Sequence, residues 1–275
     1  MAIITLLTDF GTTDSYVGIM KGVILQIHPQ ADIVDISHGI DPQDVVQAAH
    51  ELTTYYRYFP QDTVHIVVVD PGVGSERAAL AMRSHSQTFV APDNGVLGLV
   101  VKDHPDSEMV RVTNERFFRH PVSRTFHGRD IFAPVAAHLS LGLPMAQLGQ
   151  PISPDEATIL AVPEPRLAPG GSLLGSIVAI DRFGNLITDL DPDTVHRFFP
   201  DAEPENILFT IGERVIAGVA ETYGAVAHGQ PLVLVGSRGC FEFSVNRGSA
   251  ARLLGAARGD RFTVRAGGPG PGIPV

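Results

Sequence analysis

Residues 3–69 alternate short β-branched runs with longer amphipathic stretches, and no other feature of the chain narrows its fold as much. Residues 3–8 read as a strand. Asp14 or Ser15 can cap a helix whose apolar side chains include Val17, Met20, Val23, Ile24 and Ile27, and Pro29 ends it. Residues 31–36 read as a second strand. Asp41-Pro42 offers an N-cap with proline at the first helical position, and Val45, Val46, Ala49, Leu52 and Tyr56 mark one face of the helix expected to follow. Residues 63–69 form a third strand. Strand, helix, strand, helix, strand predicts βαβ units and a mainly parallel sheet.

Two of those strands end on a carboxylate before a glycine-containing loop: Asp9 in TDFGTT and Asp70 in VVVDPGVGSER. A carboxylate at the end of a buried strand is costly unless it is paired or functional. Open α/β sheets collect ligands outside the carboxyl ends of their strands. Asp70 therefore reads either as a site residue or as a cap or turn carboxylate. The equivalent placement of Asp9 suggests that both face one cleft. The glycines of the second loop are a weak phosphate-cradle signal, because no Gly-Lys-Ser/Thr follows and Arg77 comes too late to serve as the lysine.

Further on, residues 80–83 and 88–91 read as strands around a polar turn. Pro92-Asp93-Asn94-Gly95 is a turn, residues 96–101 a short helix and 109–113 a strand. A helix is expected from Asp130 to about Leu141, with Gly142 beyond its end. His127 lies just before it and reads as a capping or packing residue or as a catalyst. His127 and Asp130 could offer two donors to a metal, but no other cluster has ligand spacing.

Residues 1–150 are thus expected to form one α/β domain. Residues 151–172, with prolines at 151, 154, 163, 165 and 169 before Gly170-Gly171, read as a linker. Strands are expected at 174–180, 186–188, 207–211, 214–219, 232–235, 241–245 and 261–264. Few helical patterns intervene, so residues 173–266 predict a small all-β, barrel-like domain. The glycine- and proline-rich end, 267–275, is expected to be disordered. The second domain carries polar loops at Asp181-Arg182-Phe183-Gly184-Asn185, Ser237-Arg238-Gly239 and Asn246-Arg247-Gly248-Ser249, which also read as ordinary hairpin turns.

Composition excludes several classes. The net charge of −10 argues against a nucleic-acid partner. The single cysteine, Cys240, rules out an internal disulfide framework and a cysteine-rich zinc site, and it fits a reducing compartment. The opening MAIITLLTDF lacks a basic region and is expected to be a strand rather than a signal peptide. No apolar run approaches a membrane span, so no membrane partner is expected and the cytoplasm is the expected location.

Taken together, TDFGTTDSYVGIMKG, DISHGI, VVVDPGVGSER, APDNGVL, TFHGRDIFAPVAAHLS, IDRFGNLITD and GSRGCFEFSVNRGSAA resemble the S-adenosyl-L-methionine hydroxide adenosyltransferase family. These enzymes are hydrolytic relatives of those that form carbon–fluorine and carbon–chlorine bonds. The motifs span residues 5–251 in one order. The resemblance implies hydrolysis of S-adenosyl-L-methionine to adenosine and L-methionine by in-line attack of water at ribose C5′. It also implies no metal or other cofactor, and a homotrimer with sites between the N-domain of one subunit and the C-domain of the next.

The family's Asp–Arg–His triad matches Asp70, Arg77 and His127. His127 is expected to accept or relay the proton, Arg77 to stabilise hydroxide charge, and Asp70 to orient both Arg77 and water. Asp9 matches the ligand of the ribose hydroxyls. Asp181 suits the methionine ammonium, with Ser237 nearby and Arg238 available for the carboxylate. Asn185 matches an adenine-edge contact, and Val245 to Arg247 match backbone contacts to adenine. Tyr223 takes the place of an aromatic packed on the base, and Phe126 and Phe183 are expected to wall the pocket. Halogenating relatives carry tyrosine where Asp70 stands, and the fluorinating type has serine in place of Gly128 and an insertion absent here between Met82 and Thr88. The alternatives are a halogenase of the same fold, a non-catalytic S-adenosylmethionine- or adenosine-binding protein, and a metal-dependent hydrolase.

Overall fold

The computed structural model describes residues 2–162 and 164–267. They form two compact units that divide between Ala161 and Val162.

The first unit begins β1 (Ile3–Thr8), α1 (Tyr16–Ile27), β2 (Asp32–Ser37), α2 (Val45–Tyr55) and β3 (Val64–Val68). It continues β4 (Ala79–Ser84), β5 (Gln87–Pro92), α3 (Gly98–Asp103), β6 (Glu108–Val112), α4 (Ala133–Ser140) and β7 (Gly149–Ile152). The strands form one sheet in the order β2-β1-β3-β5-β4-β6-β7. The expected parallel core is present, with β1 pairing β2 and β3, and β3 pairing β5. The sheet as a whole is mixed rather than mainly parallel, because β4 pairs β5 and β6, and β6 pairs β7, all antiparallel. The turn between β4 and β5 explains the difference. Only His85 and Ser86 connect the two strands, both at positive φ, and so short a loop can join only antiparallel neighbours.

Alternation along the central strands builds two cores. Ile4, Leu6, Ile66 and Val68 pack with Met20, Val23 and Ile24 of α1 and with α4 residues such as Val135. Leu7, Val67 and Val69 pack on the other face with Ala48, Ala49 and Leu52 of α2 and Val100 of α3. Each fully buried leucine, valine or isoleucine contributes about 1.5–3 kcal/mol. α2 starts later than Asp41-Pro42 suggests. Gln43 adopts φ 67°, outside the helical region, and Asp44 is the N-cap, accepting from the Gln47 N–H at 2.7 Å. Val46, expected on the buried face, is exposed.

The first half of the expected linker packs on this unit. Thr158 N–H donates to Asp93 Oδ1 at 2.8 Å, and Leu160 lies where a Cβ on Gly95 would fall.

The second unit contains β8 (Arg166–Leu167), β9 (Leu173–Ile180), β10 (Leu186–Thr188), α5 (Pro192–Phe198), β11 (Ile207–Ile211) and β12 (Arg214–Ala217). It ends with β13 (Pro231–Val235), β14 (Phe241–Val245), α6 (Ala250–Leu254) and β15 (Arg261–Ala266). Every strand pair is antiparallel, in the order β12-β11-β15-β9-β10-β14-β13, with β8 beside β9. A bridge from Ala220 to Leu234 links the segment after β12 to β13 and nearly closes the barrel. Phe209, Phe241, Phe243 and Phe262 fill its core through tilted and edge-to-face contacts. The short helices α5 and α6 went unassigned in the sequence. Asp191 and Ser249 cap them, each side chain accepting a backbone N–H. The expected disordered tail lies outside the described residues except for Gly267, whose N–H donates to Asn206 O at 2.6 Å.

Candidate active site

β1 and β3 are parallel neighbours, with Thr8 opposite Val68. Their carboxyl ends therefore deliver Asp9 and Asp70 to the same edge of the sheet. Both line a cavity of about 360 Å³ together with Phe10, Tyr16, Val73, Phe126 and His127.

The loop after Asp70 folds back so that Arg77 meets the carboxylate in a fork. Arg77 Nε donates to Asp70 Oδ1 at 2.9 Å, and Nη2 donates to Oδ2. Two glycines permit this turn. Gly74 has φ +77°, and a Cβ there would lie 2.1 Å from Arg124 O, while a Cβ on Gly72 would press on Arg77 Cγ at 3.2 Å. Both charged side chains are nearly buried, at 10% exposure for Arg77 and 5% for Asp70, which makes the paired fork a requirement for placing charge here. The guanidinium also lies over the Phe132 ring at 5.2 Å.

Arg77 Nη2 reaches a third partner, His127 Nδ1, at 2.7 Å. Arginine can only donate, so Nδ1 accepts and the neutral ring carries its proton on Nε2. Burial, and next the adjacent Arg77 charge, lower the His127 pKa below the ordinary histidine value, so the ring stays neutral at neutral pH.

His127 precedes a π-turn, Gly128–Phe132, that runs directly into α4, so the helix begins two residues before the expected Asp130. Asp130 itself is fully buried. It accepts a fork from Arg129, both bonds at 2.7 Å, and the Ser123 N–H at 2.8 Å. Burial alone would raise its pKa, but the Arg129 and Ser123 hydrogen bonds and the charges of Arg129 and Arg119 outweigh it and hold the carboxyl below its ordinary range. Asp130 thereby ties residues 119–130 together and fixes His127. Among the described residues, no group of three or more His, Cys, Asp or Glu could hold a metal ion.

The rest of the cavity was only partly foreseen. Phe126 lines it as expected and meets Phe10 and Tyr16 at ring distances of 6.0 and 5.1 Å. Gln43 donates its backbone N–H to Asp9 Oδ2 at 2.8 Å. Nothing in the residue type of Gln43 signals that role, which depends on its left-handed backbone.

The remaining predicted site residues belong to the second unit. Asp181 Oδ1 accepts the backbone N–H groups of Phe183 and Asn185, and Oδ2 accepts Asn185 Nδ2, all at 2.9 Å. The ordinary turn reading of this loop is therefore realised, and Asn185 is buried within it. Phe183 is exposed at the turn tip. Tyr223 donates its hydroxyl to Glu242 Oε1 at 2.7 Å while its ring stays exposed, and the Glu242 hydrogen bond, burial and the Glu242 and Asp181 charges push its pKa up to about 12. Ser244 also donates to Glu242 Oε1, at 2.9 Å. The sequence reading did not single out Glu242, a buried carboxylate on a strand that otherwise looks like core. Ser237 and Arg238 lie exposed in the turn from β13 to β14. Val245 is buried at the end of β14, and Arg247 is exposed at φ 55°.

Residues 4–149 match the model of the SAM hydroxide adenosyltransferase N-terminal domain, and residues 175–263 match that of the C-terminal domain. The chain belongs to the SAM hydroxide adenosyltransferase family. Within this family it is 36% identical to an (R)-S-adenosyl-L-methionine hydrolase of Salinispora tropica, over 96% of this chain and 98% of that one. It is 38% identical to the protein of the same name from Thermus thermophilus, over 92% and 95%. A solved structure of an uncharacterized conserved protein from Thermotoga maritima superposes with a TM-score of 0.87 at 37% identity, covering 95% of this chain and 99% of that one. Among the described residues, no helix is long and apolar enough to cross a membrane.

Proposed function

We propose that this protein hydrolyses S-adenosyl-L-methionine to adenosine and L-methionine at the cavity of the first unit. One observation carries the reading: a buried Arg77 bonded at once to Asp70 and His127, which line one cavity with Asp9, in a chain of this family.

The chemistry places few demands on the leaving group. A sulfonium carbon is already activated, and methionine departs as a neutral thioether, so the reaction calls for neither a general acid nor a metal or other cofactor. The nucleophile is the harder part. With Nδ1 held by Arg77, His127 offers Nε2–H as a donor to the attacking oxygen. Proton acceptance at Nε2 would require the opposite tautomer, which the Arg77 contact opposes. His127 therefore holds the water, and Arg77, bonded to both Asp70 and His127, fixes the two around it. As the C–O bond forms, the incoming oxygen becomes strongly acidic, and a carboxylate is basic enough to take its proton. Asp70, whose oxygens keep lone pairs beyond the Arg77 fork, is assigned that step. Asp9 takes the ribose hydroxyls.

The second-unit residues recognise the ends of the substrate. Asp181 binds the methionine ammonium, Ser237 and Arg238 its carboxylate end, and Asn185, Tyr223, Phe183 and the backbone from Val245 to Arg247 the adenine. This reading includes a homotrimer with sites shared between neighbouring subunits, and its supporting observation is the family's two-domain composition. Halogenation is disfavoured. Asp70 would repel a halide, and a Cβ at Gly128 would lie 3.1 Å from Met20 Sδ and 3.2 Å from the Phe126 ring, leaving little room for the serine of fluorinating relatives.

The test is a product assay with S-adenosyl-L-methionine in water, with and without chloride and with and without a chelator. Adenosine and methionine are expected, unaffected by either addition and lost in Asp70→Ala and His127→Ala. A 5′-chloro-5′-deoxyadenosine product would assign the site to halogenation instead, and bound but unconverted substrate would leave a binding protein.

A further inference from the structure

Asp9 sits on a short loop, and a buried network behind it accounts for its placement. Thr8 is fully buried and His38 is 7% exposed. Thr8 Oγ1 accepts the Phe10 N–H at 3.2 Å and lies 2.9 Å from His38 Nδ1. The His38 carbonyl accepts the Gly11 N–H at 2.8 Å. His38 thus grips the chain on both sides of Asp9, through a side chain before it and a carbonyl after it.

The network continues outward and fixes its own direction. His38 Nε2 lies 3.0 Å from Asp35 Oδ1, an electrostatic contact rather than an aligned hydrogen bond, and Lys21 Nζ lies 2.5 Å from Asp35 Oδ2. The carboxylate favours the imidazole proton on Nε2. Nδ1 is then the acceptor, and the Thr8 hydroxyl donates to it while its oxygen still accepts from Phe10. The same loop that carries His38 reaches Gln43, whose N–H holds Asp9 Oδ2.

We propose that His38 is a positioning residue that, through Thr8 and Gly11, sets the Asp9 carboxylate for the two ribose hydroxyls of the substrate. The inference rests on Asp9 being the ribose ligand. A carboxylate that accepts from two vicinal hydroxyls must have both oxygens correctly aimed, and a loop free to rotate about residues 8–11 would lose that aim. His38 never touches substrate in this scheme, and its effect passes through the main chain on either side of Asp9.

The experiment is calorimetric titration of the full chain with adenosine and with 2′,3′-dideoxyadenosine, which lacks both hydroxyls. The proteins are wild type, Thr8→Val, His38→Ala, His38→Asn, Asp9→Ala and the Thr8→Val/Asp9→Ala double variant. Wild type is expected to prefer adenosine. The preference should fall about tenfold in Thr8→Val and His38→Ala, the size expected for misplacing a charged acceptor. It should return to within about threefold of wild type in His38→Asn, whose amide oxygen can stand where Nδ1 accepts. Adding Thr8→Val to Asp9→Ala should cost nothing further. Thr8→Val preserves side-chain shape and keeps the test open if His38→Ala fails to fold. Equal weakening of both nucleosides in Thr8→Val, or independent losses in the double variant, would overturn the positioning role while leaving Asp9 as ribose ligand. A wild type with no preference between the nucleosides would overturn the ribose reading of Asp9 and the proposal with it.

Discussion

The two units use their polar side chains in opposite ways. In the first, Arg77 joins Asp70 and His127, which line an open cavity, and the fold supplies only their placement. In the second, Asp181 is spent on the backbone of its own turn, and Tyr223 is anchored through Glu242. In the proposed function, chemistry falls to charged groups that are buried and paired with each other, and recognition to groups that also hold turns together. Substitutions in the first unit should therefore act chiefly on turnover, with a folding cost wherever a buried charge loses its partner, whereas substitutions in the second should couple affinity to stability.

The largest effect is expected at Arg77. Arg77→Lys keeps the charge but cannot fork to Asp70 and reach His127 together, so kcat should fall about 10²–10³-fold with little change in KM, as measured by initial rates of adenosine release. Near-normal turnover would break the comparison at its first term. Next comes Asp181→Ala, which removes the acceptor of two backbone N–H groups and one side-chain amide. It should lower the unfolding free energy by about 2–3 kcal/mol in denaturant titration and raise KM as well. A rise in KM with unchanged stability would show that the turn does not depend on its carboxylate.

The pH profile sharpens the first half of the comparison. His127 has a lowered pKa, so the native ring remains neutral where a histidine in the unfolded chain, at about 6.5, begins to protonate. Its contribution to folding is thus present above that unfolded value and is lost as the pH falls. Activity should follow the same direction. Protonated Nδ1 cannot accept from Arg77, so kcat/KM should decline about tenfold per unit on the acid side, with a midpoint below the ordinary histidine value. His127→Asn should abolish that limb, and a midpoint at or above the ordinary value would contradict the buried, Arg-facing environment. The smallest effect is expected for Tyr223→Phe, which removes one donor to Glu242 but leaves Ser244 in place. About 1 kcal/mol of stability and a roughly twofold change in KM should result, read by thermal melting and initial rates.

Much of this organisation was legible in the chain. Short apolar runs marked β1 and β3 because a central parallel strand is buried on both faces, and the strand-end positions of Asp9 and Asp70 followed from the same reading. Other features were not legible. The start of α2 depended on the left-handed Gln43, which no residue preference announces. The mixed sheet depended on where the β4–β5 hairpin docks, and pairing partners are a long-range choice. Nothing local to β14 signals that Glu242 accepts from Tyr223 and Ser244, since Tyr223 lies nineteen positions away in the chain.

The sequence by itself determined most of the elements, the two-domain composition and the family, because periodicity, turn residues and ordered motifs are local properties of the chain. Only the tertiary structure decided that Arg77 binds Asp70 and His127 at once, which ring nitrogen of His127 carries the proton, and that His38 lies behind Asp9. These are contacts between residues up to fifty positions apart, and their chemistry depends on distances and burial that exist only once the sheet has folded.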